Sequence, residues 1–308
     1  MTVPAAFQIK VPGSTANLGP GFDSIGMAVS RYLFLNAVRS DHWQFNYTDQ
    51  PDFQPALNEN LIYITAKQTA ESRHASLSPY SVEVRSDIPI ARGLGSSAAA
   101  IIAGIELADF SLGLGLSESE KSWMACRSEG HPDNVTASLY GGLVVSTQST
   151  SEVSSVRLPA PDFDFVTVIP DFELKTSDAR SALPASLSFR KAVEGSSIAN
   201  VLICALLSHD GELAGKMMES DQFHQPFRAG LIPDMAKIAR IARDSGAYGS
   251  FLSGAGPTVM SLASKDDSSQ IRERLQEAFP DYECVVLRPV AHGVQTEVSS
   301  PAYRGTDQ

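Results

Sequence analysis

The chain has 308 residues, of which 43% are hydrophobic and 19% charged, and its formal net charge is -11. This profile excludes a disordered or fibrous chain and leaves room for one elaborate domain or two moderate ones. The 24 Lys and Arg are scattered with no dense basic run, so the attraction behind most non-specific nucleic-acid binding is absent and nucleic acid is not an expected partner.

In chain order, "FQIKVP" (7–12) reads as a strand and runs into a Gly/Pro-rich turn, "PGSTANLGPGFDSIGMAV" (12–29), which carries Asn17 and Asp23. The N-terminal "MTVPAAFQIKVPG" lacks the charged-then-apolar pattern of a secretory signal. A second strand is expected at "YLFLNAV" (32–38), and helical spacing begins at 59–71, with Asn60 placed as an N-cap. The strand "YSVEVRSDI" (80–88) leads into "PIARGLGSSAAAIIAGIELA" (89–108), where a glycine-serine turn opens a helix over 96–110. Another helix is expected at 117–128, followed by "EGHPDNVTASLYGGLVV" (129–145), which ends in strand-like "GGLVVST".

The Ser-rich "STQSTSEVSSVRLPAPD" (146–162) is the best candidate boundary and divides the chain into 1–155 and 156–308. Beyond it lie the strand "FDFVTVIP" and helices at 197–208, 210–219, 233–244 and 267–278. Strands are expected at "YGSFLS", "TVMSLA" and "YECVVLRPV". Several adjacent strands lack an intervening helix, so the class is α+β rather than a doubly wound parallel sheet. The longest apolar run, "IANVLICALL", falls short of the ~20 residues of a membrane span. Cys126, Cys204 and Cys284 are far apart with no CxxC, which suggests neither disulfide framework nor zinc site. A soluble cytoplasmic protein is expected.

The turn in "GLGSSA" admits three readings. No GxxxxGK[ST] occurs, so it is not a P-loop, and "DIPIAR" separates it from the preceding strand, which disfavours a dinucleotide fingerprint. It has the physics of an anion site: Gly93 and Gly95 tolerate positive φ, Ser96 and Ser97 offer a cap and a hydroxyl, and the helix start offers free amides. A capped core helix remains an equal reading of this stretch alone.

Three further stretches join it in order: "PGSTANLGPGFDSIGMAV", "EGHPDNVTASLYGGLVV" and "LSGAGPTVMSL" (252–262). The set resembles the GHMP kinases, from Val11 to about Val290, and "NLGPGFD", "EGHPDN" and "FHQPFRAGLIP" are most similar to the homoserine kinase branch. The resemblance implies an N-terminal domain like domain 2 of ribosomal protein S5, a ferredoxin-like C-terminal domain and a site in the cleft between them. It further implies Mg2+-dependent transfer of a phosphoryl group from ATP to L-homoserine by a possible homodimer. ATP would be held by Asn60, Pro89, Ala91, Arg92, Gly93, Leu94, Gly95, Ser96, Ser97 and Ala98, and the metal by Ser97 and Glu129. The amino acid would meet Asn17, Asp23, His131, Asp133, Asn134, Thr176, Arg180 and Arg228, with Asp23 suited to an ammonium and the arginine forks to a carboxylate. Ser97, Glu129, Asp133 and Asn134 form the implied catalytic group, with no general base assigned. Taken singly, each of these residues is also an ordinary cap, turn former or solvated charge.

Overall fold

The computed structural model describes residues 4–49 and 53–299. Its elements are β1 (Ala6–Ala16), β2 (Ile25–Arg39), β3 (Gln44–Tyr47), α1 (Leu61–Ser72), β4 (Tyr80–Ser86), α2 (Ser96–Leu112), α3 (Glu118–Glu129), α4 (Asp133–Tyr140), β5 (Leu143–Gln148) and β6 (Val153–Leu158). They continue with β7 (Asp164–Ile169), α5 (Thr176–Ser181), α6 (Phe189–Leu207), α7 (Gly211–Glu219), α8 (Gln225–Arg228), α9 (Met235–Asp244), β8 (Gly249–Leu252), β9 (Val259–Ala263), α10 (Ser268–Ala278), β10 (Glu283–Leu287) and β11 (Gln295–Val298). The mixture of sheets and helices is the α+β class expected.

A seven-stranded sheet has the order β11-β1-β2-β4-β3, with β5 on β2 and β6 on β5, and a four-stranded sheet has the order β10-β7-β9-β8. Alternation along β7 explains how the second sheet serves two cores. Phe165 and Ile169 face the large core shared with the first sheet, whereas Val166 and Val168 join a smaller core under α9 and α10.

The expected divide at residue 155 needs correction, because it cuts β6, whose residues pair with β5 from Leu143↔Leu158 to Gln148↔Val153. The chain end also returns to the first sheet, where β11 pairs with β1. The Ser-rich stretch is not a linker but the hairpin from β5 to edge strand β6, with Ser146 buried in β5, Ser149 and Ser151 in the turn and Ser154 exposed on β6. The first strands are longer than their apolar runs suggest, since β1 continues through a bulge between Pro12 and Gly13. Neither β3, β11, α5 nor the N-terminal half of α6 stands out by hydrophobic pattern. Among the described residues, no helix is long and apolar enough to cross a membrane.

Helix α2 runs through the centre of the first lobe, with Ala98, Ile101, Ile102, Ile105 and Leu107 all buried. It packs closely on α1, because a Cβ on Gly104 would stand 2.5 Å from the Ile62 carbonyl oxygen. Its two acidic residues are also buried, and Lys121 from α3 neutralises both, with Nζ 2.7 Å from Glu106 Oε1 and 2.7 Å from Asp109 Oδ2. Burial alone would pull the Lys121 ammonium down, yet the two carboxylates hold it above its ordinary value. Replacing Lys121 with Met leaves two buried carboxylates together, so chemical denaturation should report a loss of about 3 kcal/mol. A variant as stable as the parent would show that this triad does not anchor α2.

Candidate active site

The N-terminus of α2 opens into a cavity of about 100 Å³ between the lobes. Gly95 at its N-cap has φ 73 and makes no side-chain capping bond, and the first helical bond runs from Ala99 N to Gly95 O at 2.9 Å. The amides of Ser96, Ser97 and Ala98 therefore have no helical acceptor and carry the positive end of the helix dipole. Ser96 is the first helical residue, not the cap its type suggested. Leaving those amides uncapped leaves them free for an anion.

The loop before them is built from left-handed residues: Ala91 at φ 53, Gly93 at 80 and Gly95 at 73. A Cβ on Gly95 would lie 2.2 Å from Ser14 Oγ, and one on Gly93 would lie 2.3 Å from the Ser253 carbonyl oxygen. Ser253 Oγ donates to Gly93 O at 2.6 Å and shares a 2.8 Å bond with Thr15 Oγ1. Arg92 lines the cavity and ties the loop to the second lobe, donating from Nη1 to Ile90 O at 3.2 Å, from Nε to Pro170 O at 3.0 Å and from Nη2 to Asp171 O at 2.6 Å. Leu94 and Ala98 bury their side chains completely, so only their backbones are available to a phosphate. Pro89 lines neither this cavity nor its neighbour.

That neighbour, of about 370 Å³, is walled by Tyr47, Phe53, Pro55, Ile62 and Ile90 and shares Ala91, Ser96, Ser97, Leu174 and Thr176 with the first. Asn60 does not line it but stands buried between two residues that do, Glu59 and Leu61, as the N-cap of α1, with Oδ1 accepting from Ile62 N at 3.1 Å and Tyr63 N at 3.2 Å. Among the described residues its Nδ2 has no hydrogen-bond partner. Burial pushes the nearby Tyr47 hydroxyl up to about 12, with Asn60 opposing.

At the turn from α3 to α4, Glu129 accepts from Ser97 Oγ at 2.8 Å. Burial raises the Glu129 carboxyl, against the pull of His131 and of the Ser97 bond. His131 Nδ1 lies 2.5 Å from Asp133 Oδ1, which also accepts from Asn134 N at 2.7 Å. Burial opposes protonation of this imidazole, but the bond to Asp133 and the surrounding carboxylates outweigh it and raise the ring above its ordinary value. Asn134 Oδ1 takes the Ser14 hydroxyl at 3.0 Å. Carboxylate and imidazole atoms of Asp23, His131 and Asp133 all fall within 4.8 Å of one another.

Across the cleft Arg180 of α5 grips Asp23 with two bonds, Nη1 to Oδ2 at 3.0 Å and Nη2 to Oδ1 at 2.7 Å. Asp23 is at φ 53 in a turn whose Asn17 and Leu18 also have positive φ. Asn17 braces the turn, with Oδ1 accepting from Asp23 N at 3.0 Å and Nδ2 donating to Gly254 O at 3.1 Å. Arg228, only 2% exposed, faces the same cavity, and burial together with the Arg180 charge pulls its guanidinium down to about 10. Both arginines lie over the Phe22 ring, at 5.6 and 5.3 Å from its centroid. Thr176 begins α5 and lines both cavities.

All eight amino-acid-pocket residues named from the sequence therefore line one cavity. The sequence reading missed Phe22, Leu174, His224, Ser253 and Gly254. Four of these stood inside quoted motifs, in "GFD", "FHQPFR" and "LSGAG", but nothing in their residue types marks an aromatic floor or a bracing carbonyl.

Comparison with known proteins follows the same lines. Residues 60–142 match the model for the GHMP kinases N terminal domain, and residues 202–281 match that for the GHMP kinases C terminal domain. The chain is 51% identical to a homoserine kinase of Bacillus velezensis over 93% of both chains. It is 47% identical to a homoserine kinase of Halalkalibacterium halodurans over 96% of both. A crystal structure of homoserine kinase from Cytophaga hutchinsonii superposes with TM-score 0.85 at 26% identity, covering 96% of this chain and 99% of that one.

A carboxyl whose pKa is raised by folding destabilises the folded state once it is charged. The ligand-free protein should therefore gain stability as pH falls from neutral through the raised Glu129 value, as far as this group is concerned. Glu129→Gln keeps an acceptor for Ser97 and removes the charge, so its ligand-free melting temperature at pH 7 should exceed the parent's and that pH-dependent gain should shrink. A lower melting temperature would mean that the charge is compensated in the folded protein.

Proposed function

The chain belongs to the GHMP kinases, alongside the homoserine kinases, and from that premise we propose that it transfers the γ-phosphoryl group of ATP to the hydroxyl of L-homoserine, yielding ADP and O-phospho-L-homoserine. The observation that carries this reading is one cavity in which an uncapped helix N-terminus faces opposed charges of amino-acid type, Asp23 on one side and Arg180 with Arg228 on the other.

The triphosphate lies along the loop 91–98, where the free amides of α2 take phosphate oxygens, and the apolar neighbouring cavity takes the adenosine. Ser97 and Glu129 fit a magnesium ion: a hydroxyl and a half-buried carboxylate, 2.8 Å apart and, among the described residues, without a cationic side chain bonded to either, are hard oxygen donors beside the phosphate site. Bound there, the ion would neutralise phosphate charge. The helix dipole contributes in the same sense, and positioning together with charge stabilisation provides most of the rate in phosphoryl transfer.

The amino acid enters by exchange. In the ligand-free protein Asp23 and Arg180 satisfy each other; homoserine offers its ammonium to Asp23 and its carboxylate to Arg180 and Arg228, so both charges are re-paired when the ion pair opens. A ligand with only one of the two charges leaves a partner stranded, which is costly in a partly desolvated site. The side-chain hydroxyl is directed toward His131, Asp133 and Asn134. Asp133 Oδ1 is already committed to His131 and the Asn134 amide, which suits a positioning role, and no protein base is assigned.

Steady-state kinetics with ATP, magnesium and L-homoserine test this reading. Asp23→Asn should raise the homoserine KM by about tenfold or more, the loss of one charge-assisted bond, and leave the ATP KM unchanged. The same variant should take 4-hydroxybutanoate better than the parent does, because its carboxylate no longer competes with Asp23 for Arg180. Equal damage toward ATP and homoserine, or a poorer response to the deaminated compound, would contradict the exchange. Ser97→Ala should lower kcat/KM for ATP by roughly 10- to 100-fold with partial recovery at high magnesium. An unaltered magnesium dependence would remove Ser97 from the metal site.

A further inference from the structure

Arg228 has five N–H donors, and the protein occupies three. Nε donates to Ala179 O at 3.1 Å, and Nη1 donates to Gly254 O at 3.0 Å and faces His224 Nδ1 at 3.2 Å. Among the described residues, Nη2 makes no hydrogen bond, and Arg228 lines the cavity. The edge left for a ligand is therefore set by whatever holds the other edge.

Two of the three holds are backbone carbonyls. The third is His224, a side chain with no exposed surface. Its Nε2 is 2.8 Å from Gly19 O. A carbonyl oxygen only accepts, so Nε2 carries the proton; in the neutral ring Nδ1 is then a bare acceptor, as the Arg228 donor requires. Burial and the adjacent guanidinium keep the ring from protonating, although Asp221 pulls the other way. The ring also stacks on Phe22 at 5.4 Å, on the aromatic floor beneath both arginines. Asp221 fixes the backbone that presents it, with Oδ2 accepting from His224 N at 3.0 Å and Gln225 N at 2.7 Å.

We propose that His224 is a positioning residue for the amino-acid substrate: as the neutral Nε2–H tautomer it joins the Gly19 turn to Arg228 and aims the free Nη2 edge at the substrate carboxylate. Its action passes through Arg228, so it touches neither phosphate nor hydroxyl. The assignment of that carboxylate rests on the homoserine reading above.

Two replacements separate the nitrogen atoms of the ring. Asn places its amide oxygen near the position of Nδ1 and keeps the acceptor for Arg228, whereas Gln places its amide nitrogen near Nε2 and keeps the donor for Gly19. His224→Gln should raise the homoserine KM about tenfold, with kcat and the ATP KM within twofold of the parent. His224→Asn should stay within about threefold for all three parameters, even where its melting temperature falls as far as that of the Gln variant. A merely structural histidine would make the KM follow stability. Equal rises in KM, the reverse order, or a loss confined to kcat would overturn the proposal.

Nitrogen-15 NMR of the ring in the ligand-free parent supplies a readout independent of substrate. At neutral pH it should show Nε2 protonated and Nδ1 bare, and an Nδ1–H tautomer or an imidazolium would overturn the proposal. Absence of homoserine-dependent turnover in the parent would instead defeat the functional reading, leaving the tautomer result to decide the His224–Arg228 contact.

Discussion

The free N-terminus of α2 is the constraint on which the rest depends. A helix buried along most of its length cannot hide three unsatisfied amides without a partner, since each buried, unpaired donor costs on the order of 1–3 kcal/mol. Here they open into the cleft between the lobes, and no side chain closes them off. Gly95 is needed twice over at that point, for its left-handed φ and because a Cβ would run into Ser14. The shape of the loop before α2 thus follows from how β1 and α2 pack.

Two short segments join this helix terminus to the rest of the cleft. Ser253 holds the Gly93 carbonyl, while the next carbonyl, that of Gly254, receives both Asn17 and Arg228. One turn of the second lobe therefore braces the loop before α2 on one side and Asn17 and Arg228, the proposed amino-acid pocket, on the other. The Asp23–Arg180 pair closes the same cleft from above, linking a strained turn of the first lobe to short α5 of the second. On the proposed exchange, substrate binding opens this pair and is felt in both lobes. Such coupling suits a kinase, in which phosphate and hydroxyl must be brought together with water kept out.

The parts legible in the sequence were those with local signatures. The turn 93–97 announced a left-handed turn into a helix by its glycines and serines, and α2 announced its burial by an apolar surface without Lys or Arg up to residue 110. Asn17, Asp23, His131, Asp133, Asn134, Arg180 and Arg228 were reached only because four separated motifs resembled one family in order. Each has an innocent local reading, and their convergence is a property of the tertiary fold. What escaped notice depends on long-range pairing. β6 reads as a polar linker because it is an edge strand with no fully buried residue, and β11 reads as a tail because its partner lies almost the whole chain away. Ser253 and Gly254 act through one hydroxyl and one backbone carbonyl, which leave no compositional trace. His224 and Phe22 matter by what they stack on.

The central claim is that the phosphates at α2 and the amino acid beneath Asp23, Arg180 and Arg228 meet as reactants in one cleft. Phosphorus-31 NMR of the purified protein with ATP, magnesium and L-homoserine tests this most directly, because it identifies the product as well as the consumption of ATP. The account predicts ADP and an equal quantity of a phosphate monoester whose phosphorus couples to the C4 methylene protons of homoserine, with no such signal from mevalonate, galactose or L-serine. Release of ADP with inorganic phosphate alone, or a phosphate ester formed on one of the other alcohols in preference to homoserine, would contradict it.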